Sequence, residues 1–204
     1  MKILYEDNHL FVVVKPPGLL TQPSGTSQDS LEAQAKAFLK TRDHKPGNVF
    51  LEAVHRLDKP VGGIVVFAKT SKAVSRLNAA QREKKFRKVY HAHVEGKLAQ
   101  KSGTLTHHLH HDHHLAKVDP EGKKAVLHYR VLEEGELSSL VEVELETGRY
   151  HQIRVQFAHI GHPILGDHKY GSKAEWKDGI ALTHVQIEFP HPITSEVLKI
   201  SLTI

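Results

Sequence analysis

Cysteine is absent from the 204-residue chain, which removes disulfides, thiolate metal centres and a cysteine nucleophile from consideration and suits a reducing compartment. No apolar run approaches the roughly 18 residues that a membrane-spanning helix needs. The opening MKILYEDNHLFVVVKPPG brings in Glu6 and Asp7 early, so it lacks the unbroken apolar core of a signal peptide. Also missing are a linker, a repeat of fixed period and, apart from one histidine-rich segment, any biased stretch. These absences lead us to expect a soluble, cytoplasmic protein with no membrane partner. The length favours a single domain over residues 1–204.

Apolar side chains make up 39% of the chain, enough for a sizeable core. Lys and Arg outnumber Asp and Glu by 28 to 23, a formal charge of +5 before any of 18 histidines is protonated. An anionic partner is expected from this balance, although charge alone does not name it.

Ile3 to Tyr5 and Leu10 to Val14 read as short strands, the second ended by Pro16-Pro17-Gly18. Asp29 with Glu32 forms a capping-box pattern, and Leu31, Ala35, Phe38 and Leu39 follow at helical spacing to about Lys40. Gly63 to Ala68 reads as a buried strand. Ser71 is the expected cap of a second helix, whose end runs into Arg82, Lys84, Lys85, Arg87 and Lys88. Val89–Val94, Lys124–Leu132 and Leu140–Thr147 are strand-like, the last alternating Val141, Val143 and Leu145 with Glu142, Glu144 and Glu146 to give one wet face. His151 to Ile160, closed by Gly161, is an expected helix, and Ile180–Phe189 and Val197–Leu202 are closing strands. Strands that follow one another directly predict an α+β fold with a mixed, largely antiparallel central sheet flanked by helices.

Three stretches carry chemistry. In HRLDKPVGG, residues 55–63, Asp58 sits among cations and ahead of two glycines. An exposed ion pair is the plain alternative, but glycines that permit close approach beside a strand suit a carboxylate held toward a cleft, and a nucleophilic carboxylate needs a fixed cation to stay ionised. In RYHQIRVQFAHIGHPILGDHKYG, residues 149–171, Ile153, Phe157 and Ile160 share a stripe that leaves His151, Gln152 and Arg154 to face elsewhere, toward solvent or a ligand. Tyr90 follows the basic helix end on a strand, where it is either core or a stacking surface for a base.

Together with Lys15-Pro16-Pro17-Gly18 and Pro23, these stretches resemble the RluA-type RNA pseudouridine synthases, with the likeness running from about residue 3 to 202. The resemblance implies an isomerase of RNA uridine that acts on ribosomal or transfer RNA, as a monomer and without metal or organic cofactor. It implies that Asp58 is catalytic, by attack at the ribose C1′ or by proton abstraction to a glycal. It implies further that Arg154 pairs with that Asp and that Tyr90 packs on the uracil and serves the C5 proton. Arg56 is expected to fill the gap left by the flipped nucleotide, with His55, Leu57, Arg149, His151, Gln152 and Leu182 as further substrate-binding residues. The chain departs from the family pattern at Val61-Gly62-Gly63, where Thr-Ser-Gly is frequent. Its start at the first catalytic-domain strand leads us to expect no separate N-terminal RNA-binding domain.

In HHLHHDHH, a strand would align His108, His110, Asp112 and His114, and a helix would align His107, His110, His111 and His114. Either could gather metal ligands for a hydrolase, the rival from another class, but no second shell is visible, which favours an exposed polar tip. A catalytically silent RNA binder of the same fold is the other rival.

Overall fold

The computed structural model describes residues 1–25 and 27–203. The chain divides into two compact units, residues 1–86 with 185–204, and residues 87–184.

In the first unit, β1 (Ile3–Glu6) pairs antiparallel with β2 (Leu10–Lys15), and β2 pairs antiparallel with β4 (Gly62–Ala68). Beyond β4 lies β10 (Leu182–Pro190), which carries β11 (Val197–Ser201), while the two-residue β3 (Glu52–Ala53) pairs with the end of β4. All seven residues of GGIVVFA in β4 are buried. A strand covered on both faces cannot alternate, so it reads as an unbroken apolar run. Leu10, Val12, Ile64 and Val66 point to one face and meet Ala73 and Leu77 of α2 (Ser71–Arg82). Phe11 points to the other and stacks on Phe38 of α1 (Leu31–Arg42) at 6.4 Å.

Both helix starts lie one residue from the expected caps. Ser30 Oγ, not Asp29, accepts from the Ala33 N–H at 3.2 Å, while Asp29 accepts from the Ser30 N–H and from Gln34, and Glu32 turns away to Lys36. Likewise Thr70 Oγ1 caps α2 through the Ala73 N–H at 3.1 Å, leaving Ser71 as the first helical residue. In each case two neighbouring residues carry a suitable oxygen, and the backbone that is extended at the cap decides between them.

In the second unit the strand order is β5 (Arg87–Glu95), β9 (Ser138–Leu145), β8 (Lys123–Glu134), β6 (Ser102–Asp112) and β7 (Leu115–Val118), every pair antiparallel. The expected alternation in β9 holds: Val141 and Val143 are fully buried, and Glu142 and Glu144 face Arg130 and Arg87. Arg87 and Lys88 belong to β5 rather than to the helix end. The histidine-rich segment is strand through Asp112 and then a turn, so the strand reading of it holds and the helical one does not. Helix α3 (Gln152–His159) starts from a left-handed His151, φ 52°, and Gly161 at φ 85° follows it. Six consecutive residues of α3, Gln152 to Phe157, are buried, so its polar side chains face protein instead of water. The α+β, largely antiparallel architecture is the one expected.

Candidate functional site

The Asp58 loop of the first unit is fixed from several sides. Leu57 is buried, its N–H donating to Thr21 Oγ1 at 3.1 Å and its carbonyl accepting from the same hydroxyl at 2.9 Å. The Val61 N–H closes a turn onto the Asp58 carbonyl at 3.0 Å, and the Gly18 N–H donates to the Lys59 carbonyl at 2.8 Å. Buried His55 accepts the Val66 N–H at Nε2, which puts its ring proton on Nδ1. Arg56 and Lys59 are exposed, with Lys59 donating to Gln28.

A residue that sequence reasoning noted only as part of a loop proves central. Lys15 is fully buried, and its ammonium donates to the carbonyls of Pro16, Leu19 and Lys59 at 3.1, 2.7 and 3.1 Å. Burial pushes it down to about 8, while the Asp58 carboxylate opposes that shift. The Asp58 carboxylate thus interacts with a buried, fixed cation of its own unit, a lysine 43 positions upstream. A Cβ on Gly62 would stand 3.3 Å from the Pro17 ring, a tight contact, and 3.5 Å from the Lys15 carbonyl, an ordinary one. The KPPG loop therefore packs against residue 62 closely enough that a side chain there would have to push the Pro17 ring back by a few tenths of an ångström.

In the second unit Tyr90 lies on β5, is 7% exposed, and stacks on His184 with ring centroids 4.6 Å apart. Burial pushes its neighbour Lys88 down to about 8. Leu182, at the start of β10, is buried. Arg154 projects from α3 into protein and forms a two-pronged pair with Asp167, Nε to Oδ2 at 2.7 Å and Nη2 to Oδ1 at 2.8 Å, with both side chains at most 4% exposed. Its guanidinium lies 5.0 Å from the centroid of the Tyr170 ring. Asp167 and Tyr170 lie in the same motif, but nothing in their sequence spacing from Arg154 signals the pairing, because the chain between them turns back through the loop after α3.

His151 and Gln152 hold the start of α3. Gln152 donates to the Val126 carbonyl and accepts from the Thr147 hydroxyl and the Arg149 N–H. Arg149 is exposed and donates through Nε to the Lys124 carbonyl at 3.0 Å. His151 Nδ1 lies 2.7 Å from the Tyr170 hydroxyl, whose oxygen accepts the Ala116 N–H at 2.9 Å. Burial first, then Arg154, pushes His151 down to about 3. The ring is thus neutral, Tyr170 donates to Nδ1, and the ring proton is on Nε2.

Of the histidine-rich strand, His107 and His111 face α3 and its entry loop: His107 Nδ1 is 3.0 Å from Gln156 Nε2, and the His111 ring is 4.0 Å from Tyr150. His108 and His110 are exposed, paired in register with Lys124 and Lys117. Among the described residues, no three His, Cys, Asp or Glu are placed to hold a metal ion, and no helix is long and apolar enough to cross a membrane.

Comparison with known proteins bears on these loops directly. The family model described as RNA pseudouridylate synthase matches residues 9–159. A Bacillus subtilis protein named uncharacterized RNA pseudouridine synthase YhcT is 37% identical over 203 residues, 97% of this chain and 67% of that protein. The ribosomal large subunit pseudouridine synthase D of Pseudomonas aeruginosa is 39% identical over 199 residues, 93% of this chain and 60% of that one. The chain thus spans about two thirds of the length of these relatives. Among solved structures, human RNA pseudouridylate synthase domain containing 4 superposes with a TM-score of 0.83 over 100% of this chain and 88% of its own, at 22% identity, a likeness of fold alone.

Proposed function

Because the chain belongs to the RNA pseudouridylate synthase family, whose members are isomerases of uridine in RNA, we propose that it converts uridine to pseudouridine in large-subunit ribosomal RNA, with Asp58 acting at the ribose C1′. The observation that carries this reading is the family match across residues 9–159, which includes Asp58, together with the hydrogen-bonded loop that fixes residue 58 and the buried Lys15 that interacts with its carboxylate. The named relatives favour ribosomal over transfer RNA.

The reaction balances without a co-reactant. The N1–C1′ bond breaks, the uracil turns, a C5–C1′ bond forms, C5 gives up a proton and N1 takes one. Asp58 engages C1′ as the glycosidic bond opens, and the buried Lys15 ammonium interacts with its carboxylate. Tyr90 presents its ring to the uracil, and Arg154, held by Asp167, contributes a fixed guanidinium to the substrate site. Arg56, exposed beside Asp58, fills the space of the flipped nucleotide, since neither C1′ nor C5 can be reached within a stack. His55, Leu57, Arg149, His151, Gln152 and Leu182 shape the remainder of the substrate site, the buried ones by positioning the loops that reach the RNA.

RNA carrying tritium at uridine C5 tests the proposal. Wild-type protein should release tritium as C5 loses its hydrogen, and Asp58→Asn should release none while still binding RNA. No release by the wild type on ribosomal transcripts, or full release by Asp58→Asn, defeats it.

A further inference from the structure

The histidine-bearing end of the β6–β7 hairpin does not stand alone at the surface. The exposed His111 ring lies 4.0 Å from Tyr150, itself 40% exposed, and Tyr150 stacks on His151 at 3.8 Å with 21° between the planes. His151 meets the edge of Tyr170 at 5.5 Å, and the Tyr170 hydroxyl is held by both His151 and the Ala116 N–H of β7. The two outer rings are therefore set in position by a buried ring and two hydrogen bonds before any ligand arrives. A surface ordered in advance loses little entropy on binding.

Cations border these rings. Exposed Arg149 is next to Tyr150 in the chain and is tied to the Lys124 carbonyl, and exposed Lys169 is close enough to His151 to bear on its charge, as is His111. Lys124 and His108 are register partners on adjacent strands. The nearby acids have partners of their own: Asp112 lies 3.6 Å from His113, and Asp119 lies 3.6 Å from Lys117. A stack of rings ending in exposed His111 and bordered by cations matches the stacked bases and phosphates of a polyanion, not an apolar protein surface.

We propose that this edge of the second unit binds a single-stranded stretch of the RNA substrate, one base stacking on the His111–Tyr150 rings while adjacent phosphates lie against Arg149, Lys169 and Lys124. A duplex does not fit the site, because its base faces are already stacked. The inference rests on RNA being the substrate. It goes further in giving the histidine-rich hairpin a role separate from the chemistry.

The test uses the full chain and a large-subunit ribosomal RNA transcript tritiated at uridine C5. Tyr150→Ala and His111→Ala should each raise Kd about fivefold or more, the lower bound for a lost base stack, with the loss falling on KM rather than kcat. Tyr150→Phe, which keeps the ring, should bind as wild type does. Stacking releases no counterions, so the slope of log Kd against log salt should be unchanged in the Ala variants and flatter by about 0.7 in Lys169→Ala. Wild-type affinity in both Ala variants overturns the site. So does a loss confined to kcat, which would make the rings packing for α3. A dimer abolished by Tyr150→Ala with RNA affinity intact would assign the rings to a second copy instead, and the proposal would fall. Failure of the isomerase reading looks different: no tritium release by the wild type, with the affinity losses still present.

Discussion

At the scale of single residues, the second unit keeps charges where water does not reach them. Arg154 and Asp167 form such a pair, with both side chains nearly inaccessible. Asp167→Asn takes the charged, two-pronged partner from a buried guanidinium, so it should cost up to roughly 3–5 kcal/mol of stability, measurable by urea denaturation. A loss below about 1 kcal/mol, the range of an exposed pair, would show the site to be wetter than its burial implies. His151 gives a second prediction, through pH. Its folded pKa, about 3, lies below its ordinary 6.5, so the fold holds the neutral ring. Stability from this residue is fully present above pH 6.5 and declines as acid carries the unfolded chain, but not the folded one, through protonation. His151→Asn keeps a residue type that tolerates the left-handed backbone. Its melting temperature should fall less steeply than wild type between pH 6.5 and about 4, and equal slopes would remove His151 from the acid response.

At the scale of elements, neighbouring residues of similar chemistry have different duties. Ser30 and Thr70 cap α1 and α2, whereas Ser71 is merely helical. Thr70→Ala should therefore destabilise by about 1 kcal/mol and Ser71→Ala by far less, a contrast that thermal melts can read. The basic stretch before Tyr90 divides in the same manner. Arg82 ends α2, Lys84 takes a left-handed turn at φ 57°, Lys85 pairs with Glu83, Arg87 pairs with Glu144, and Lys88 is half-buried on β5. Only its first part remains a candidate for holding phosphate. The double variant Lys84→Ala, Lys85→Ala should weaken RNA binding at low salt and flatten the salt dependence by roughly 0.7 to 0.9 for every phosphate that is no longer neutralised. An unchanged slope would mean that this turn is a solvated surface.

For the whole molecule, the first unit is made of two chain segments with the second unit inserted between them, and β10 begins in one unit and ends in the other. We propose that the two behave as one domain in unfolding, since neither can release its share of β10 without fraying a strand of the other. The sole tryptophan, Trp176, belongs to the second unit and reports on it by fluorescence, while circular dichroism reports on every element. The two probes should give coincident urea transitions. Separated midpoints would establish two independently folding domains.

Element types were legible in the residues themselves, and so was the family resemblance. Period-two alternation marks β9, an unbroken apolar run marks β4, and Gly161 marks the end of α3, because backbone geometry and burial act on near neighbours. HRLDKPVGG likewise identified its own loop. The partners of the candidate site residues were decided by tertiary structure: Lys15 for Asp58, Asp167 for Arg154, His184 for Tyr90, and Tyr150 with His111 for the histidine hairpin. Those pairings join residues distant in the chain through burial, and burial turns a lysine or an arginine from a solvated charge into a fixed one. Sequence spacing carries no measure of it, since the cost of an unpaired charge arises only after the elements have packed and excluded water.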